Sequence, residues 1–151
     1  MQVTYSMKPL LVLFVLFSAT VSAQILKPVK WTTTIETLSA SEFNLVFIAN
    51  IDDHWHLYSQ TVPENGPLPT VFVFENNSNI KLIGKPAEQK GKTVYEAVFE
   101  MKVTYFENKA VFKQKVKRLT NKPFAIVGEI EFMTCDNQQC IQEYEDFEIK
   151  L

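Results

Sequence analysis

Alternation with a period of two runs through almost the whole of this chain, and it leaves little room for anything but strands. Phe43, Leu45, Phe47, Ala49 and Ile51 alternate with Asn44, Val46, Ile48 and Asn50. Phe124, Ile126, Ile130 and Phe132 share one face of a later run, with Glu129 and Glu131 on the other. Phe147, Ile149 and Leu151 alternate with Glu148 and Lys150. Successive side chains of a strand point to opposite faces, so this pattern marks strands with one buried face. No segment carries the apolar stripe of an amphipathic helix. Strands are expected near residues 31–38, 42–51, 55–58, 70–75, 80–84, 95–105, 110–119, 124–134 and 141–151. Turn chemistry separates them at Asp52-Asp53, Asn76-Asn77-Ser78-Asn79, Glu107-Asn108-Lys109 and Thr120-Asn121-Lys122-Pro123. Residues 59–69 hold Pro63, Gly66, Pro67 and Pro69 and read as a loop, because proline cannot donate to a sheet ladder. Many short strands with regular turns predict an all-β, immunoglobulin-like β-sandwich, with a barrel as the lesser option.

The N-terminus reads as an export signal. Lys8 is the only charged side chain before Lys27, and the apolar run Leu10 to Phe17 follows it. Small residues then end in Val21-Ser22-Ala23. This is the charged start, short apolar segment and small-x-small site of a secretory signal peptide, with cleavage expected after Ala23. The apolar run is shorter than the ~20 residues a spanning helix needs, so no stable membrane insertion is expected. The 151 residues less the first 23 leave a single domain, residues 24–151, with room for a hydrophobic core. Losing Lys8 takes fifteen basic residues to fourteen against seventeen acidic, a net charge of −3 that argues against a nucleic-acid partner. The alternating Lys113, Lys115 and Lys117 read as a solvent face.

Two cysteines in an exported chain are expected to pair. Cys135-Asp136-Asn137-Gln138-Gln139-Cys140 places four polar residues between two strands, a common hairpin length, so the cysteines face each other across its neck. Directly opposed residues lie about 4.5 Å apart at Cα in non-hydrogen-bonded pairs. Disulfides prefer about 5.5–6 Å, so this bond is expected to be strained and more readily reduced. Closing so short a loop removes about 2 kcal/mol of chain entropy, which makes it a poor staple. Alternation puts Cys135 on the face of Glu129 and Glu131 rather than with Ile130 and Phe132. From the residues alone, a redox-active pair and a structural cystine both stay open. A third reading is metal: on a strand, His54 and His56 would share a face and could join two thiols in a zinc site. An oxidised pair cannot ligate, and the spacing is not that of a zinc finger, so no metal is assigned.

The run Phe132-Met133-Thr134-Cys135 to Cys140, followed by an acidic alternating strand, resembles the N-terminal periplasmic domain of the membrane disulfide reductase DsbD, the disulfide bond corrector family. The likeness extends from about Val29 to Leu151. Asp53-His54-Trp55-His56-Leu57-Tyr58 resembles the family's aromatic strand ending in a tyrosine. Gly66-Pro67-Leu68-Pro69-Thr70 resembles its Pro-rich strand entry, and Tyr95-Glu96-Ala97-Val98-Phe99-Glu100 its cap loop. The resemblance implies an immunoglobulin-like fold and a periplasmic thiol–disulfide exchange module without cofactor. Its cysteines would take electrons from a membrane-embedded, DsbD-like reductase and pass them to thioredoxin-fold proteins. Cys140 would attach to the downstream partner and Cys135 would resolve the mixed disulfide. Phe99, with Val98, would shield the pair, and Glu96 and Tyr58 would lie beside it. Where the family often has acid-acid-aromatic-aromatic-glycine, this chain reads Glu96-Ala97-Val98-Phe99-Glu100, without the second acid and the glycine. The rival function is a non-enzymatic envelope-binding or structural sandwich with an inert disulfide.

Overall fold

The computed structural model describes residues 26–151. The expected signal peptide and the cleavage site after Ala23 lie outside the described residues. Within them there are ten strands and no helix: β1 (Val29–Thr37), β2 (Glu42–Ile51), β3 (His56–Tyr58), β4 (Val71–Phe74), β5 (Ile80–Glu88), β6 (Lys92–Glu96), β7 (Met101–Glu107), β8 (Lys109–Arg118), β9 (Ala125–Cys135) and β10 (Cys140–Lys150). They form two antiparallel sheets. One has the order β1-β2-β8-β5; the other runs β10-β9-β3-β7-β6, with β4 also paired to β9. The fold is the all-β, immunoglobulin-like sandwich that the alternation predicts.

The core lies where the inner faces meet. Leu45, Phe47 and Ala49 of β2 and Ala110, Phe112 and Val116 of β8 are fully buried against Leu57, Ile126 and Ile130 of the second sheet. Phe47 joins the sheets, with its ring 4.8 Å from Phe72 and 4.9 Å from Phe147. Burying side chains of this size stabilises by roughly 1.5–3 kcal/mol each. Gln114 is the polar member of the β8 inner row. It is 1% exposed and satisfied, its amide donating to the carbonyls of Ile83 and Gly84. Those carbonyls are free because β5 bulges there: its pairing with β8 breaks between Ile83 and Ala87, and Gly84 has φ 69°. The bulge explains why β5, expected to stop at Gly84, continues to Glu88.

Two sequence expectations need correction. The run 95–105, read as one strand, is a hairpin: β6 and β7 pair from Lys92↔Tyr105 to Glu96↔Met101 around a turn at Ala97–Glu100. The turn lacks glycine, proline, asparagine and aspartate, so no turn signal was legible in it. His54, read as sharing a strand face with His56, is not on a strand. It is in a turn at φ 70°, and β3 begins at His56.

Gly128 shows how closely the strands approach. It pairs with Phe74 of β4 on one side and Phe147 of β10 on the other. A Cβ there would lie 2.3 Å from the Val73 carbonyl oxygen and 2.5 Å from the Phe147 ring. Gly128→Ala is therefore expected to lower stability by about 1–3 kcal/mol, as overpacking does. Urea unfolding checks this; an unchanged midpoint would mean that β4 and Phe147 yield without cost.

Candidate functional site

The β9–β10 hairpin delivers the cysteines to each other. The two strands pair without a break from Ala125↔Lys150 to Cys135↔Cys140, and the disulfide closes their end with the Cα atoms 4.1 Å apart. Asp136 shapes the connecting turn. Its Oδ1 accepts hydrogen bonds from the backbone N–H groups of Gln138 and Gln139, each at 2.8 Å. Those N–H groups hold its carboxyl below the usual carboxylate range.

The unbroken register places Cys135 on the outer face of its sheet, with Glu129, Glu131 and Met133, as alternation indicates. Cys135 is nevertheless only 2% exposed. β3 pairs with the end of β9, setting His56 beside Cys135, and the β6–β7 hairpin extends the sheet beyond. At this end the outer face carries a second apolar cluster. Tyr58, Val103, Tyr105 and Cys135 are buried in it, and Phe99, Met101 and Met133 pack against it. The fully buried Tyr58 meets the Phe99 ring edge-on, with centroids 6.1 Å apart. Val98 is 84% exposed at the turn, whereas Phe99 packs inward. Glu100 ends the turn at φ 55°, so it adopts the left-handed conformation for which glycine is favoured. Cys140, unlike Cys135, is exposed. An open cavity of about 720 Å³ touches both cysteines, the turn and the residues of β3.

Tyr58, Glu96 and His56 meet in this cavity. The Tyr58 hydroxyl donates to Glu96 Oε2 at 2.8 Å. His56 Nε2 lies 3.0 Å from the Tyr58 oxygen and 3.3 Å from Glu96 Oε1. The imidazole ring also stacks on Tyr105, with centroids 4.4 Å apart. Burial, reinforced by the Glu96 hydrogen bond, pushes the Tyr58 phenol far above its ordinary value, so it stays protonated. Asp136 lines the cavity too, but Glu143 does not. Glu143 lies on the opposite face of β10, where Thr134 Oγ1 donates to it at 3.0 Å and burial raises its pKa.

The chain thus brings together Cys135, Cys140, Tyr58, Glu96 and Phe99, five residues singled out from the sequence, and leaves Val98 at the exposed tip. His56 was read only as a possible ligand. Its place beside Tyr58 was legible in the i, i+2 spacing, which puts both on one face of a strand. Among the described residues, no group of three or more His, Cys, Asp or Glu side chains is arranged to hold a metal ion.

An immunoglobulin-like sandwich whose single described disulfide closes a hairpin beside an aromatic turn is a compact cystine-bearing domain, and comparisons with known proteins place it. Residues 22–150 match the family described as "Thiol:disulfide interchange protein DsbD, N-terminal". The chain belongs to this family. In structure it resembles the N-terminal periplasmic domain of ScsB from Proteus mirabilis, with TM-score 0.58 and 13% identity over 83% of this chain and 47% of that one. It also resembles the reduced DsbD N-terminal domain of Neisseria meningitidis, with TM-score 0.52 and 17% identity over 84% of this chain and 89% of that one. The chain therefore spans about half the length of the ScsB domain and most of the DsbD domain. These likenesses show a shared fold. A search of curated proteins finds no sequence match.

The site carries a pH signature. Burial pushes His56 below the ordinary imidazole value; Glu96, Glu107 and Asp136 oppose the shift, and Lys92 adds to it. The folded protein therefore binds a proton at His56 less readily than the unfolded chain. Its contribution to stability is full above the ordinary value, about 6.5, and is lost as pH falls through the lower folded value. Urea midpoints measured between about pH 7 and about pH 5 should fall more steeply for the wild type than for His56→Gln. Parallel curves would show that His56 does not carry the shift.

Proposed function

We propose that this chain is a periplasmic thiol–disulfide exchange module that relays reducing equivalents through a reversible Cys135–Cys140 disulfide. It is charged by a membrane-embedded, DsbD-like reductase and discharged onto thioredoxin-fold proteins. Export follows from the signal peptide, cleaved after Ala23. The observation that carries this reading is the placement of the cystine: outside the main core, in a cavity, with Cys135 buried and Cys140 exposed. Family membership supports it.

The chemistry needs no cofactor. In the reduced domain the Cys140 thiolate attacks one sulfur of a partner disulfide. The other partner sulfur leaves with the bond's electron pair, and a mixed disulfide forms. The Cys135 thiolate then attacks Cys140 Sγ, and the partner's second sulfur leaves as a thiolate. The partner has gained two electrons and takes up protons from solvent, and Cys135–Cys140 is oxidised. The membrane reductase reverses these steps to recharge the domain. Glu96 and Asp136 lie in the same cavity as the cysteines. Negative charge there disfavours a free thiolate and suits a pair that reacts inside a docked complex. Phe99, packed inward beside Tyr58, shields the pair until a partner displaces the turn.

Exposure of Cys140 and burial of Cys135 give the test its direction. Cys135→Ser should accumulate a mixed disulfide through Cys140 when mixed with an oxidised thioredoxin-fold protein, because the resolving thiol is gone. Cys140→Ser should accumulate little. Non-reducing gels and mass spectrometry check this. If neither variant forms a mixed disulfide, the domain is a binding or structural sandwich with an inert cystine.

A further inference from the structure

We propose that His56 is a positioning residue for the exchange proposed above: its Nε2 hydrogen, shared between Tyr58 and Glu96, fastens the cap turn over the disulfide. This rests on the reading of Cys135–Cys140 as an exchanging pair, and it adds a lock to the shield.

The Tyr58 hydroxyl has one hydrogen, and it points to Glu96 Oε2 at 2.8 Å. That leaves the Tyr58 oxygen and Glu96 Oε1 as acceptors. Glu96 Oε1 is buried and has no well-aligned hydrogen bond to any group. The nearest donor is His56 Nε2, 3.3 Å from Oε1 and 3.0 Å from the Tyr58 oxygen. A bare Nε2 would aim its lone pair at two acceptors. With the Tyr58 hydrogen given to Glu96, Nε2 must carry a hydrogen for either contact to form, and a small shift of the ring toward Oε1 would satisfy the buried oxygen.

Topology turns this contact into a lock. β3 and β6 are not neighbours, for β7 lies between them. β6 is an edge strand, held along the sheet only by its ladder to β7. Glu96 is its last residue, and the cap turn with Phe99 follows at once. His56 belongs to β3 and pairs in register with Cys135. The imidazole bridges β7 by lying over Tyr105, at 4.4 Å between ring centroids, and reaches Glu96 on the far side. One side chain beside the cystine thereby holds the start of the turn that covers it. Opening the turn must break the Glu96 contacts to both His56 and Tyr58.

Reduction of the disulfide by dithiothreitol, at one pH, reads the frequency of opening. His56→Leu should speed it about five- to tenfold, the effect of one lost hydrogen bond. His56→Gln keeps an N–H donor on a side chain of similar reach, so its rate should stay within about twofold of the wild type. In a Phe99→Ala background the lock has no shield to hold, so His56→Leu should add less than about twofold. An unchanged rate in His56→Leu would overturn the lock. So would His56→Gln as fast as His56→Leu, or a full effect of His56→Leu without Phe99. Nitrogen NMR on the wild-type protein keeps the proposal testable if His56→Leu fails to fold. Nε2 should carry the hydrogen and Nδ1 should be bare; the reverse tautomer would overturn the lock. None of these readouts needs a protein partner. Failure of the lock is thus distinct from failure of the relay, which the Cys135→Ser trap reports.

Discussion

What happens at the cystine depends on Tyr58, a side chain wholly buried on a sheet face that would otherwise meet water. The outer face of a sandwich sheet is normally polar, and for most of its length this one obeys, with Glu129, Glu131 and Asp146 on β9 and β10. At the β3 end the Tyr58 ring gives Val103, Phe99 and Cys135 an apolar body to pack against. A large aromatic can make such a satellite cluster worth forming, because it removes much apolar area from water at once. The hydroxyl then needs a partner in that dry place, and Glu96 supplies it at 2.8 Å. The apolar and polar halves of one side chain thus hold the cap turn at two points, Phe99 and Glu96.

The two cores divide the labour. The inter-sheet core, centred on Phe47 and Phe112, carries the fold and contains neither cysteine. The outer cluster is small, built on an edge hairpin, and contains Cys135. A disulfide placed there can open and close without disturbing the packing between the sheets. A six-residue loop also gives the bond little leverage on stability, roughly 2 kcal/mol in the chain-entropy picture. Low cost to the fold is what an exchanging cystine requires.

The sheets were legible because alternation is a strong signal when one face is buried: β2 runs from Glu42 to Ile51, as expected from its pattern. The turn at Ala97–Glu100 was invisible to that logic. It continues the mixed apolar and acidic character of its flanks and carries its positive φ on a glutamate. Only the family resemblance marked it as a cap. A cover over Cys135 likewise came from the resemblance alone. Parity gave its face correctly, yet no local pattern says that a distant hairpin covers that face. His54 and His56 looked equivalent by spacing. A turn with φ 70° at His54 removes it from the strand and leaves His56 as the imidazole beside Tyr58. Tyr58, Glu96 and Phe99 came from resemblance, whereas their contacts came from topology, which brings β3 and β6 to opposite sides of β7.

A cystine that is reduced and re-formed in exchange must sit within reach of thiol reductants, and its equilibrium reduction potential, titrated in thiol–disulfide buffers, reads this. A value above about −300 mV, outside the range of structural disulfides, is expected for Cys135–Cys140. A markedly lower value would contradict exchange and identify the cystine as a fixed part of the sandwich.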